Sequence, residues 1–180
     1  MASNYHILIH KLDEFIRKYY KNQLIRGILY AISSLLLFFL AVTTLEYFAH
    51  FGVATRTILF YLFILLNVSI LINLIVIPLL KLNRFGNIIS HQQAAEIIGS
   101  HFSNIQDKLL NVLQLQQQSI QNATLVKASI NQRIAELKPI PFTSAIDFKE
   151  NLKYVKYAFV PVFVLLYLLT FFPNLINDPI

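Results

Sequence analysis

The sequence predicts an all-α integral membrane protein with three transmembrane helices, an amphipathic amino-terminal helix and a small cytoplasmic helical module between spans two and three. Three apolar stretches, at residues 27–47, 57–80 and 157–176, are the first observation. The first two meet the requirement of about 20 apolar residues for a helix that crosses a bilayer, and the third just reaches it. The second observation is composition, because 56% of the 180 residues are hydrophobic and only 13% are charged, too apolar for an ordinary soluble domain. The third is a clustering of basic residues at particular ends of the spans.

Residues 1–26 are predicted to form the amphipathic helix. Apolar side chains recur there at three- and four-residue spacing, at Tyr5, Leu8, Ile9, Leu12, Phe15, Ile16 and Tyr19. A basic polar face opposite an aromatic apolar face is typical of a helix that lies in the headgroup layer of a membrane. The same apolar face could also pack on the middle module, and the two arrangements are compatible.

A transmembrane hairpin is predicted over residues 27–80. Its first span is expected to be an uncleaved signal anchor, because no small-residue cleavage site follows it. Gly27 and Ala31 form a small-xxx-small pair, which indicates a close approach of another helix. Glu46, at the outer end of the span, is expected to be solvated. The second span carries three polar side chains, at Asn67, Ser69 and Asn73. We expect them to bond to a neighbouring helix, because polar groups that face lipid are costly.

Residues 81–156 are predicted to form the helical module. Ser90 and Gln93 have capping-box spacing and predict a helix start, and Gly99 is expected to end or bend that helix. A second start is predicted at Ser103. Apolar positions on the later helices are expected to bind a partner protein, namely Leu109, Leu113, Val126, Ile130 and Ile134.

The third span is predicted at residues 157–176, followed by a short tail at 177–180. Three lysines precede the span at i, i+4 and i+7, which places them on one face of a helix, namely Lys149, Lys153 and Lys156. Long basic side chains at this depth reach toward anionic headgroups, so we expect these three lysines to bind the membrane surface.

The charge distribution predicts the orientation. Basic residues precede span one, follow span two and precede span three, whereas the loop between the first two spans holds only Arg56. By the positive-inside rule the amino terminus and the middle module of this multi-pass protein are cytoplasmic and the carboxyl terminus is outside. The net charge of +6 is therefore attributed to membrane orientation, and no nucleic-acid partner is predicted.

Residues with chemical reactivity are few. The absence of cysteine excludes disulfides and thiolate chemistry, and the four glycines form no phosphate-binding loop. The spacing of His91, Glu96 and His101 does not match a zinc-binding pattern. We therefore predict no catalytic, metal or cofactor site and no small-molecule substrate.

Three segments, residues 11–20, 90–115 and 141–147, resemble the amino-terminal membrane-anchor region of large bacterial envelope proteins in domain-of-unknown-function family 4175. They read KLDEFIRKYY, SHQQAAEIIG with the later IQDKLLNVLQL, and PFTSAID. The resemblance implies a membrane anchor followed by a much longer region with coiled-coil stretches. This sequence ends at Ile180 and lacks that longer region. We therefore expect a truncated reading frame, a fragment of a split gene or an anchor that acts alone. The family assigns no activity.

The leading functional prediction is a non-enzymatic inner-membrane anchor or scaffold, whose partners are the lipid bilayer and a second protein or another copy of the chain. The alternative is a small oligomeric transport or channel subunit with Asn67, Ser69 and Asn73 facing its path. No ionisable residue lies at the middle of these spans, which disfavours the alternative. A membrane enzyme is the least favoured reading, since the histidines and carboxylates show no convergent spacing.

Overall fold

The structure, a computed structural model, describes residues 4–102, 104–118, 132–137 and 139–171. These residues are helical or lie in turns and short connections, and none is in a strand. The helices are α1 (Asn4–Ala49), α2 (Val53–Leu71), a π-helical turn (Ile72–Val76), α3 (Ile77–Leu82), α4 (His91–His101), α5 (Gln106–Gln118) and α6 (Leu152–Phe171). Residues 132–137 are also helical, and 3₁₀ turns occur at Phe142–Ala145 and Phe148–Asn151.

The chain divides into two compact units. The head unit comprises Met1–Tyr20 and Arg84–Asp147, and the span unit comprises Lys21–Asn83 and Phe148–Ile180. Helix α1 contributes to both units. The expected boundary between residues 26 and 27 is therefore not a helix boundary, since no proline interrupts this stretch of the chain.

Three helical segments are long and apolar enough to cross a membrane, within Asn4–Ala49, Val53–Leu82 and Phe142–Phe171. Most of their large apolar side chains are exposed, as in Leu37, Leu65 and Phe163 at 56%, 67% and 65% exposure. Apolar surface on this scale is stable in contact with lipid and unstable in water. The predicted all-helical class is confirmed in the described residues, as are three segments long and apolar enough to span a membrane.

The head unit has a core of its own. Helix α1 contributes Leu8, Leu12 and Phe15, each at most 2% exposed. Helices α4 and α5 and the segment around residue 142 supply most of the remainder, with Ala94, Ala95, Ile98, Ile105, Val112 and Phe142 all buried. The apolar side chains of Leu8, Leu12 and Phe15 are thus packed within the head unit, and their burial stabilises it.

Helix α4 begins where the capping box predicted. Ser90 Oγ accepts the main-chain N–H of Gln93, and the Gln93 side chain accepts the N–H of Ser90, at 3.2 and 2.9 Å. Gly99 does not end α4, which continues to His101. Instead a Cβ at Gly99 would lie 2.5 Å from Cβ of Gln106, so glycine permits the first turn of α5 to lie against α4. The start predicted at Ser103 lies outside the described residues.

Candidate functional site

The apolar residues expected to bind a partner are buried in the head unit. Leu109 is 0%, Leu113 4% and Ile134 3% exposed. This corrects the prediction, because side chains that fill the core of the unit cannot also present themselves to another protein. Their helical periodicity correctly indicates an apolar face, but that face packs in the core of the head unit. Val126 and Ile130 lie outside the described residues.

Asp13 joins three parts of the head unit. Its carboxylate accepts a bond from Arg84 Nη2 at 2.9 Å and lies 3.0 Å from His91 Nε2. Partial burial raises the pKa of Asp13, but the hydrogen bonds from His91 and Arg84 and their charges outweigh it and hold the pKa below its ordinary value. The arrangement ties α1 to the segment that precedes α4.

The residues considered as a metal constellation do not converge. His91 bonds to Asp13, while the ring of His101 packs edge-on against Phe102 with centroids 4.8 Å apart. In the described part of the chain, no group of three or more histidine, cysteine, aspartate or glutamate side chains could hold a metal ion. A recess of about 430 Å³ beside His101 is lined by Phe102, Ile105, Pro139 and their neighbours, with no carboxylate in its lining.

The polar residues of span two bond within their own helix. Asn67 is 8% exposed and donates to the carbonyl of Phe63 at 2.8 Å. Asn73 is exposed and donates to the carbonyl of Ser69, also at 2.8 Å. These bonds differ from the expected bonds to a neighbouring helix, because a carbonyl one turn back is always within reach of an asparagine side chain. Ser69 is exposed, on a different face from Asn67.

Helix α1 lies against the π-helical turn between α2 and α3 at Gly27. A Cβ added there would overlap the carbonyl oxygen of Leu74, in the π-helical turn. Leu74 is four residues before Pro78, and proline has no N–H to donate to that carbonyl. Membrane helices tolerate proline through local π adjustments of this kind. The predicted close approach at Gly27 and Ala31 is confirmed, since both residues are buried.

Helix α1 also bonds to α6 at a carbonyl that a proline leaves without its usual donor. Pro161 lies inside α6 and cannot donate to the carbonyl of Tyr157. The hydroxyl of Ser33 donates to that carbonyl at 2.5 Å. Ser33 thus supplies a hydrogen bond that the helix cannot make for itself, in a setting where lipid offers no replacement.

Helix α1 makes further contacts with α6 and with the 3₁₀ turn that precedes it, and these contacts occur in the same order along both parts of the chain. Asn151, 5% exposed, donates to Asn22 at 2.6 Å, and the rings of Tyr154 and Tyr30 lie 5.2 Å apart. The Arg26 guanidinium lies 5.9 Å from the Tyr154 ring. Because rising residue numbers on one helix meet rising numbers on the other, α1 and α6 run in the same direction.

The three lysines expected at the membrane surface are exposed but do not share one α-helix. Lys149 lies in the 3₁₀ turn Phe148–Asn151, and α6 begins only at Leu152. Lys153 and Lys156 are in α6, and the Lys156 ammonium lies 5.2 Å from the ring of Tyr157. The α-helical spacing predicted for all three therefore holds only for the last two.

Glu46 and Arg56 form an ion pair between α1 and α2. Arg56 Nε lies 2.8 Å from Glu46 Oε1, and the two side chains are only 34% and 28% exposed for glutamate and arginine respectively. Glu46 is therefore not the solvated carboxylate expected from the sequence. Three residues connect α1 to α2, so positions 46 and 56 lie close together in the hairpin. The ion pair could therefore have been predicted from the opposite charges of these two residues.

Comparisons of the chain with protein-family models, with curated proteins and with solved structures find no match.

Proposed function

We propose that this chain is a non-enzymatic anchor or scaffold of the bacterial inner membrane. In this proposal the head unit lies in the cytoplasm and mediates a protein–protein interaction. The three apolar helical segments support the membrane location. The resemblance to family 4175 supports the further proposal that the anchor is the amino-terminal part of a larger envelope protein.

The observation that carries the proposal is the shared use of α1. Its first turns place Leu8, Leu12 and Phe15 in the core of the head unit, and its later residues Gly27 and Ser33 contact other helices of the span unit. A head unit that needs the start of a membrane-crossing helix for its core cannot fold away from that helix. A protein bound to the head unit is thereby held at the membrane.

The described charges of the head unit support binding rather than catalysis. Asp13 is engaged by Arg84 and His91, and Glu136 accepts a bond from Lys108 at 2.7 Å. Lys11 and Lys18 donate to main-chain carbonyls. A general acid or base needs access to a substrate and a pKa suited to proton transfer, and these contacts serve folding instead. The transport alternative gains no support from Asn67 and Asn73, because each of these side chains donates to a carbonyl of its own helix.

The orientation is tested with a reporter enzyme that is active only outside the cytoplasm. We expect activity when the reporter is inserted at Gly52 or fused after Ile180, and none when it is inserted at residue 117. Gly52 is a suitable site because it is exposed and a Cβ there would contact nothing within 4 Å. The reverse pattern of activity would overturn the orientation, and activity at all three positions would overturn the membrane topology.

The interaction is tested in cells with a photo-cross-linking amino acid in the full chain. We would place it at Gln92, Glu96 or Asn111, which are exposed positions on α4 and α5, and at Leu37 as the control on an apolar face of α1. A cross-linked protein of defined mass at one head position, absent at Leu37, is expected. Normal expression without such a product at all three head positions would contradict the scaffold proposal.

A further inference from the structure

A cavity of about 350 Å³ lies between α1 and α2 in the span unit. Its wall is mostly apolar, formed by Phe39, Val42 and Thr43 on α1 and by Leu59, Phe60 and Phe63 on α2. Phe60 is 59% exposed, so the cavity reaches the outer surface of the two helices. Cavities of this size hold small ligands in many proteins. In a bilayer such a space is in contact with lipid rather than water.

The polar end of the cavity is the Glu46–Arg56 ion pair. Both residues line the cavity, and each lies about one turn from the connection between α1 and α2. This places two opposite charges at the level where a helix leaves the hydrocarbon, with an apolar space below them. A phospholipid has the same arrangement, with a charged headgroup at one end and apolar acyl chains below it.

We propose that the cavity binds one acyl chain of a phospholipid whose headgroup is phosphoethanolamine. The Arg56 guanidinium would face the phosphate and the Glu46 carboxylate would face the ammonium group, which matches each charge with its opposite. The proposal rests on the membrane location within the proposed function and is independent of the scaffold role.

The opposite charges at one end of the cavity favour a phospholipid over a helix from a second copy of the chain, because a zwitterionic headgroup offers a partner to both Glu46 and Arg56. The lining residues on α1 run from Phe39 to Glu46. A helix is about 10 Å in diameter. A single acyl chain is narrower and flexible, and its methylene groups restore the dispersion contacts that an empty cavity lacks.

The first experiment uses the full chain in lipid nanodiscs that contain phosphatidylethanolamine with a photoreactive group near the end of one acyl chain. We expect labels to concentrate on the cavity wall, at Phe39, Val42 and Phe63, over the outward-facing Leu37 and Leu65. Val42→Trp fills the cavity and is expected to reduce labelling of the wall about tenfold, equivalent to 1.4 kcal/mol of binding free energy. Leu45→Trp is the matched control, since Leu45 is 56% exposed on the same helix and does not line the cavity.

The second experiment varies the headgroup and does not depend on the folding of the tryptophan variant. Unlabelled phosphatidylethanolamine is expected to compete for the wall better than phosphatidylglycerol does. Glu46→Gln leaves the arginine without its carboxylate and is expected to shift the preference toward the anionic phosphatidylglycerol. Arg56→Gln is expected to weaken competition by both lipids, because both present a phosphate.

Labels spread evenly over all lipid-facing residues would overturn the proposal, as would equal effects of Val42→Trp and Leu45→Trp. Equal competition by the two lipids would overturn the headgroup assignment. Protection of the wall only at protein densities that also give dimers by native mass spectrometry would assign the cavity to a second copy instead. Failure of the scaffold role is separately recognisable, because it removes the cross-linked partner and leaves the lipid labelling unchanged.

Discussion

The hydroxyl of Ser33 lies 2.5 Å from the main-chain carbonyl oxygen of Tyr157, the carbonyl that Pro161 leaves without its helical donor. The same helix places Gly27 against the carbonyl of Leu74, four residues before Pro78, which has no N–H to donate to it. Helix α1 thus meets each of the other apolar segments at a carbonyl that lies four residues before a proline. These two contacts position the three helices of the span unit.

The bond from Ser33 should be coupled to Pro161. Ser33→Ala removes the donor and is expected to lower the free energy of unfolding by about 1–2 kcal/mol. In a Pro161→Ala background the helix supplies its own N–H to Tyr157, so the same serine substitution should cost less. Equilibrium unfolding of the four proteins in bicelles measures this coupling.

Ser34→Ala is the matched control for that experiment. The hydroxyl of Ser34 donates to the carbonyl of Ala31 within α1, at 3.1 Å. That carbonyl keeps its helical partner, so a small loss is expected and no dependence on Pro161. Equal costs for the two serine substitutions, or the absence of coupling to Pro161, would contradict the proposed role of Ser33.

Gly27→Ala should destabilise the span unit. Its new methyl group would overlap the Leu74 carbonyl, and the helices would have to separate, at a cost of about 1–3 kcal/mol. Gly52→Ala is the control, because nothing lies within 4 Å of the position of its Cβ. That control should lose less than about 1 kcal/mol, as expected for alanine in place of glycine at a helix N-cap. Thermal unfolding in the same detergent compares them, and equal stability of both variants would refute the close contact.

The stability of the head unit should depend on the ionisation of Asp13. Its pKa is lowered in the folded state, so the stabilisation is present at neutral pH, begins to fall below the ordinary value of 3.8, and is lost as the pH passes the lowered folded pKa. Asp13→Asn should cost roughly 0.5–1 kcal/mol at pH 7, since water screens a pair this exposed. Hydrogen exchange of head-unit amides as a function of pH measures both effects.

Glu14→Gln is the control for the Asp13 variant. Glu14 pairs with His10 at 3.5 Å, on a surface where the two side chains are 55% and 74% exposed respectively. We expect it to leave exchange of the head-unit amides unchanged at pH 7. An acid dependence that persists in the Asp13→Asn protein would assign the titration to another group.

Leu109→Ala should unfold the head unit rather than selectively weaken an interaction. Its side chain is fully buried, and its truncation is expected to cost about 2–5 kcal/mol. Asn111→Ala, on the exposed side of α5, should change the free energy of unfolding by less than about 0.5 kcal/mol. Denaturant unfolding of the full chain distinguishes the two. A stable Leu109→Ala protein that has lost a binding partner would restore the original sequence-based prediction.

Periodicity proved informative about faces and uninformative about what covers them. The apolar positions Leu8 and Leu12 on α1 and Leu109 on α5 follow helical spacing, and all three are buried. An isolated sequence cannot distinguish a face that enters the core from one that binds lipid or a second protein, because the same hydrophobic effect drives all three. The partner-binding prediction for Leu109, Leu113 and Ile134 failed for this reason.

The sequence by itself determined the all-helical class, the three apolar segments, the capping box at Ser90 and the close approach at Gly27. These depend on local rules, since helix length, capping and the absence of a side chain are properties of consecutive or nearly consecutive residues. Only the tertiary structure decided that Gly27 meets the carbonyl of Leu74, that Ser33 meets the carbonyl of Tyr157, and that Asp13 pairs with Arg84 and His91. Such contacts join residues far apart in the chain, and their formation depends on the packing of whole helices rather than on any local preference.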